Sequence, residues 1–250
     1  MMSVPVRIAL IVAAVAGVAG EARGQADIGG AVRVENRVEG EVGGMPRPVA
    51  TDARVFQDER ITSFADSGAT LRFLDETTMS MGPLSEVVLD RFVFDPDRTT
   101  GDIVFNVAKG AFRFVTGSAA SESYRVVTPH AVIGTRGTDY GVYSIGLGTL
   151  VITHGGDSFA CPLSQIHDPR PGGPGCCDLD ADAAGFPVYG MVLQGSQNCV
   201  GPRRWNGTNP GILLSRRAIR ETITDRDEPP EEPPPPPPPP PDDDDDNGPR

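Results

Sequence analysis

A chain of 250 residues with four cysteines and a formal net charge of −12 suits one β-rich domain or a domain with an extra lobe. Most of that charge, −8, lies from Asp225 to the end, so the remaining body is only mildly acidic. No basic stripe is present, which argues against nucleic acid as a partner.

Arg7 gives a short positive start, and Ile8 to Ala19 is an apolar run of twelve residues. A spanning helix needs ~20; twelve, with small residues behind them, fit the h-region of a secretory signal peptide. Gly24-Gln25-Ala26 supplies a cleavage site. Residues 1–26 are expected to be removed. The mature protein is then periplasmic or extracellular, starts at Asp27 and has no stable membrane span.

From Ala31 to Thr153 short alternating runs dominate. Leu71 and Phe73 share one face while Arg72 points away, and Met79 and Met81 repeat the pattern. Ile103, Phe105 and Val107 follow, then Phe112 and Phe114 around Arg113, then Tyr124 and Val126 around Arg125. Alternation with period two is the mark of a strand with one face in the core and one in water. Asp66-Ser-Gly68, Gly82-Pro83, Lys109-Gly110 and Gly146 to Gly148 punctuate the runs as turns. The pattern predicts an all-β domain over 27–159, solenoid-like or sandwich-like.

Thr128-Pro-His-Ala-Val-Ile-Gly-Thr-Arg-Gly-Thr-Asp-Tyr140 is the most specific stretch. Pro129 holds Thr128 extended, and Gly134 and Gly137 bracket Thr135-Arg136 so that the backbone can turn sharply. From Thr138 a strand resumes. Arg136 and Asp139 read either as a ligand-contacting pair or as an ion pair at a corner, and turn chemistry favours the corner.

Beyond Ala160 the alternation stops, and Cys161, Cys176, Cys177 and Cys199 all fall before Gly201. In an exported protein this predicts a disulfide-stapled loop lobe over 160–201. Cys176 and Cys177 are badly placed to bridge each other, because adjacent Cα atoms sit ~3.8 Å apart and a disulfide prefers ~4.4–6.8 Å. Two pairings stay open: 161–176 with 177–199, or 161–177 with 176–199. Asp178, Asp180 and Asp182 place alternate carboxylates as the first ligands of a calcium loop do. Tyr189, however, stands where a closing glutamate belongs, and a solvated acidic loop also explains the three. Trp205, near Arg203 and Arg204, reads as the anchor of a terminal segment, 202–224, packing on the domain, with stacking on a sugar or peptide as the alternative. Pro233 to Pro241 and then Asp242 to Asp246 leave almost nothing to bury and predict a disordered tail over 225–250.

Three stretches together resemble the FecR-domain family. They are Ser67 to Pro83, with its strand, Asp-x-Thr and Gly-Pro; Phe105 to Phe114, with Gly110 before Ala-Phe-Arg-Phe; and the motif residues Thr128, Pro129, Gly134, Arg136, Gly137, Thr138 and Asp139. The likeness runs from about Ile61 to Tyr143 and continues weakly towards Thr153. It implies a FecR-like β domain. Well-known members join it to a cytoplasmic anti-sigma segment and a membrane helix, and receive a signal from an outer-membrane transporter. About seven residues precede the apolar run here, so a stand-alone exported member without those parts is expected.

Catalytic signatures are thin. His130, His154 and His167 lack His-x-x-x-His spacing, and there is no Gly-x-Ser-x-Gly elbow, Walker loop or dinucleotide fingerprint. Zinc on Cys161, His167 and the later cysteines lacks a Cys-x-x-Cys pair. No catalytic residue and no cofactor are expected. The favoured reading is a non-catalytic binding or scaffolding module of the cell envelope, contacting protein or polysaccharide. The alternatives are a periplasmic sensor or signalling partner of an outer-membrane receptor, and a hydrolase using His130 or His154.

Overall fold

The computed structural model describes residues 25–95, 100–181 and 185–208. The expected signal peptide up to residue 24, Asp182, residues 209–224 of the terminal segment and the tail over 225–250 lie outside the described residues.

Fifteen strands follow one another: β1 (Asp27–Glu35), β2 (Val38–Val42), β3 (Met45–Pro48), β4 (Arg54–Phe56), β5 (Arg60–Ser63), β6 (Gly68–Phe73), β7 (Thr78–Met81), β8 (Glu86–Asp95), β9 (Thr100–Val115), β10 (Tyr124–Val127), β11 (Ala131–Ile145), β12 (Gly148–Pro162), β13 (Cys177–Asp180), β14 (Val188–Leu193) and β15 (Cys199–Arg204). Among the described residues the only helical turns are two short 3-10 turns, Ser121–Ser123 and Leu163–Gln165.

All fifteen belong to one hydrogen-bonded sheet, folded over so that its apolar faces meet. Three long strands run through both layers. The first half of β9 pairs with β8 and β10, and its second half with β7 and β11. β12 pairs with β14 through its first half and with β13 through its second. The arrangement is all-β and sandwich-like, closed into a small barrel along β9, β11 and β12, with further strands outside.

Each long strand changes layer at a glycine with positive φ: Gly110 (+113°), Gly137 (+62°) and Gly156 (+75°). A residue inserted at such a kink moves every later side chain to the opposite face. In β9 the residues that join the main core are accordingly Ile103, Phe105 and Val107 before the kink, and Phe112 and Phe114 after it. The aromatic rings form a chain between the layers. Phe92 meets Phe73 at 5.7 Å, Phe73 meets Phe105 at 5.0 Å, Phe105 meets Phe114 at 5.5 Å, and Phe114 meets Tyr140 at 5.3 Å. Such pairs add ~0.5–1.5 kcal/mol each beyond the area they bury.

A polar latch is buried at the edge of this core. Asp75 Oδ2 accepts hydrogen bonds from Thr77 Oγ1 and from the Tyr124 hydroxyl, both at 2.6 Å, while its Oδ1 accepts the Thr77 N–H at 3.0 Å. The Gly117 N–H reaches Thr77 Oγ1 at 3.0 Å, and the Ala119 N–H reaches the Tyr124 hydroxyl at 3.2 Å. The Asp-x-Thr turn after β6 is thereby tied to the β9–β10 connection. Burial, followed by the hydrogen bond to Asp75, pushes the Tyr124 hydroxyl up to about 12.

The cysteine-bearing segment is stapled, as expected, and it also forms strands. Cys161 pairs with Cys176 and Cys177 with Cys199, with Cα atoms 4.1 Å and 5.5 Å apart. β13 joins β12, β14 joins β12, and β15 joins β14. Alternation was invisible there for a physical reason: Gly190, Met191, Val192 and Leu193 are all buried, and a strand covered on both faces loses its period-two signature.

Candidate functional site

The motif residues divide between corner-building and surface. Thr128 closes the turn between β10 and β11: its Oγ1 accepts the N–H groups of His130 (3.2 Å) and Ala131 (2.9 Å), and its own N–H donates to Ala131 O (2.8 Å). Pro129 sits exposed in that turn. Gly137 makes the kink of β11, and buried Thr138 bonds across it through Oγ1 to Asp157 O at 2.5 Å. Asp139 takes Arg113 on β9 as its partner, Nε to Oδ1 at 2.9 Å and Nη2 to Oδ2 at 2.6 Å. This pairing holds the Asp139 carboxyl below the usual carboxylate range and raises the Arg113 guanidinium above its own. Arg136 lies in β11, and its side chain is outside the described residues.

Gly134 has a different use. Register places Arg125 on β10, Gly134 on β11, Phe159 on β12 and Asp178 on β13 side by side across four strands. A Cβ at Gly134 would lie 2.2 Å from Phe159 Cζ, so the bare glycine is what lets the ring lie across the sheet. The loop Leu163 to Gly175 then folds over this outer face. Its ends are joined by the Cys161–Cys176 bond, and its middle is held by the Gly172 N–H on Asp178 Oδ1 at 2.9 Å.

Between the loop and the strands runs a groove of about 230 Å³, with Glu122, Arg125, Gly134, Phe159, Arg170 and Pro171 among its walls. On the other side of Phe159 and Pro171 lies a smaller hollow of about 110 Å³ with Asp157, Asp178 and Asp180. An aromatic and a proline thus form a ridge with guanidinium groups on one flank and carboxylates on the other. Arg125 has no ion-pair partner among the described residues, whereas Arg170 is paired with Asp168 at 2.9 Å. In the sequence Arg125 stands out only as an outward residue, and Phe159, Glu122, Asp157 and Arg170 carry no signal of their own. The signal was the Phe159–Gly134 pairing, which exists only once register is known.

The other candidates are scattered. Asp178 and Asp180 lie on the extended backbone of β13 rather than in a tight calcium loop, and Asp182 is outside the described residues. Among the described residues no three His, Cys, Asp or Glu side chains converge to hold a metal ion. The His130 ring Nε2 is 2.9 Å from Ile145 O, and Asp139 is taken by Arg113. His154 reaches over Gly141, and His167 is exposed on the loop. Trp205 packs edge-on against Tyr189 with ring centroids 5.7 Å apart.

The fold and its corners define a small β module built on an Asp-x-Thr latch and an Arg-Gly-Thr kink. Residues 59–157 match the model of the FecR protein family, a stretch that covers the latch and the kink and ends two residues before Phe159; the chain carries a FecR-family domain there. That family is one of envelope-related signalling and regulation. Nothing among the curated proteins matches the chain. Among the described residues no helix is long and apolar enough to cross a membrane.

Proposed function

We propose that this protein is a non-catalytic, exported binding module of the cell envelope whose groove under the stapled loop takes an extended glycan strand. The observation that carries the reading is the Phe159 ring laid over Gly134, with Arg125 on the neighbouring strand. An aromatic face accepts the apolar face of a sugar ring, and a guanidinium offers a rigid fork of donors to hydroxyl or carboxylate groups. Export rests on the N-terminal apolar run, the two disulfides and the family's association with the envelope. Cleavage before Asp27 would leave β1, which starts at that residue, intact.

The test is a glycan array with the mature domain, alongside a pull-down from envelope extract. Binding should be lost in Phe159→Ala and Gly134→Ala, with both variants still folded by circular dichroism; Gly134→Ala acts by displacing the ring. Absence of any bound glycan, capture of a protein alone, or full binding by Phe159→Ala would contradict the reading.

The family match also supports a second reading, in which the module relays a signal from an outer-membrane receptor. Deletion of the gene should then alter an uptake or envelope-stress regulon; unchanged expression across those regulons removes this reading.

A further inference from the structure

The outer face of the other layer carries an apolar cluster separate from the main core. Leu150, Ile152, Met191 and Leu193 are at most 8% exposed there, with Tyr143, Ile145, Tyr189, Val200 and Trp205 packed around them. Tyr143, Leu150, Met191 and Val200 stand in one row across β11, β12, β14 and β15. The inner faces of these strands, with Val142, Val151 and Val192, already belong to the main core. A sheet at the edge of a two-layer domain normally shows its outer side to water; here the outer row is apolar and its central residues are all but closed off, which needs a cover over it.

The chain itself leads to that cover. β15 is the last strand of the sheet on this side. Immediately after it the Trp205 N–H donates to Pro187 O at 2.7 Å, and its ring meets Tyr189. The strand end is thus held against the apolar face. Ile212, Leu213, Leu214, Ala218, Ile219 and Ile223 follow, and beyond Asp225 the sequence has no further large apolar residue. From Thr208 to Ile212 the chain reaches at most ~14 Å, about three inter-strand spacings, which is enough to return from β15 to β12. We propose that residues 210–223 of this same chain dock on the outer face of β11, β12 and β14. The proline-aspartate tail then departs from this side, on the layer opposite the groove.

The test reads the only tryptophan of the chain, Trp205, and is independent of any ligand in the groove. In the full chain the double variant Leu213→Asp/Leu214→Asp should shift Trp205 emission to the red, bind a hydrophobic dye and lower Tm by on the order of 5 °C. Should that variant fail to fold, limited trypsin digestion of the native full chain decides. Docking protects Arg216, Arg217 and Arg220 while Arg226 is cut first. Cleavage at Arg216 to Arg220 as fast as at Arg226 would overturn the proposal. So would unchanged emission in the double variant, or an emission change that follows dilution of a dimer, which would assign the face to a second copy.

Discussion

Asp75 is buried, and its carboxylate serves three donors: the Thr77 N–H, the Thr77 hydroxyl and the Tyr124 hydroxyl. Asp75→Ala strands all of them in a dry site and should cost about 3 kcal/mol or more, read by urea denaturation. Tyr124 adds a pH signature. Its folded pKa is raised by burial, so its contribution is complete below the ordinary tyrosine value of ~10 and is lost as pH rises towards about 12. Denaturation midpoints should therefore fall between pH 10 and about 12, less steeply in Tyr124→Phe; equal slopes would contradict this. Thr135 offers the opposite case, a buried hydroxyl with no hydrogen-bond partner among the described residues. Thr135→Val should raise stability by about 1 kcal/mol. At this scale the sequence displayed the Asp-x-Thr spacing but not its partner. Tyr124 is 49 residues from Asp75, and only folding brings them together.

For the strands, the deciding feature is the glycine kink. At Gly110 a Cβ would lie 2.5 Å from Ser85 Cα, and φ is +113°. Gly110→Ala should therefore destabilise by more than the ~1 kcal/mol of an ordinary strand substitution, measured as a lowered Tm. The alternation of inward residues was legible, strand by strand, from Leu71 to Val126. The shift from odd to even inward positions across Lys109-Gly110 was present in the same letters, yet it reads as a turn between two strands. The structure makes it one strand bent between layers. β14 and the docking of the 163–175 loop were hidden differently, since a doubly buried strand has no alternation and a loop over a sheet leaves no periodic trace.

At the level of the whole molecule, the FecR-family domain ends at the kink and second half of β12, and the stapled segment that follows supplies the roof of the groove. The family motif was legible because its threonines and glycines build corners with local hydrogen bonds. The groove was not, because Arg125, Phe159 and Arg170 come from three separate segments. The tail over 225–250 has almost no apolar surface to contribute, so a chain ending at Thr224 should keep the full-length Tm; a large drop would show that it docks.

The groove as the working surface is tested most directly by a photo-cross-linking amino acid placed at Phe159 in the cell, with the exposed position Met45 (71% exposed) as control. A covalent adduct to envelope glycan from position 159 and none from position 45 is the expected result. Adducts at position 45 with none at position 159 would contradict it.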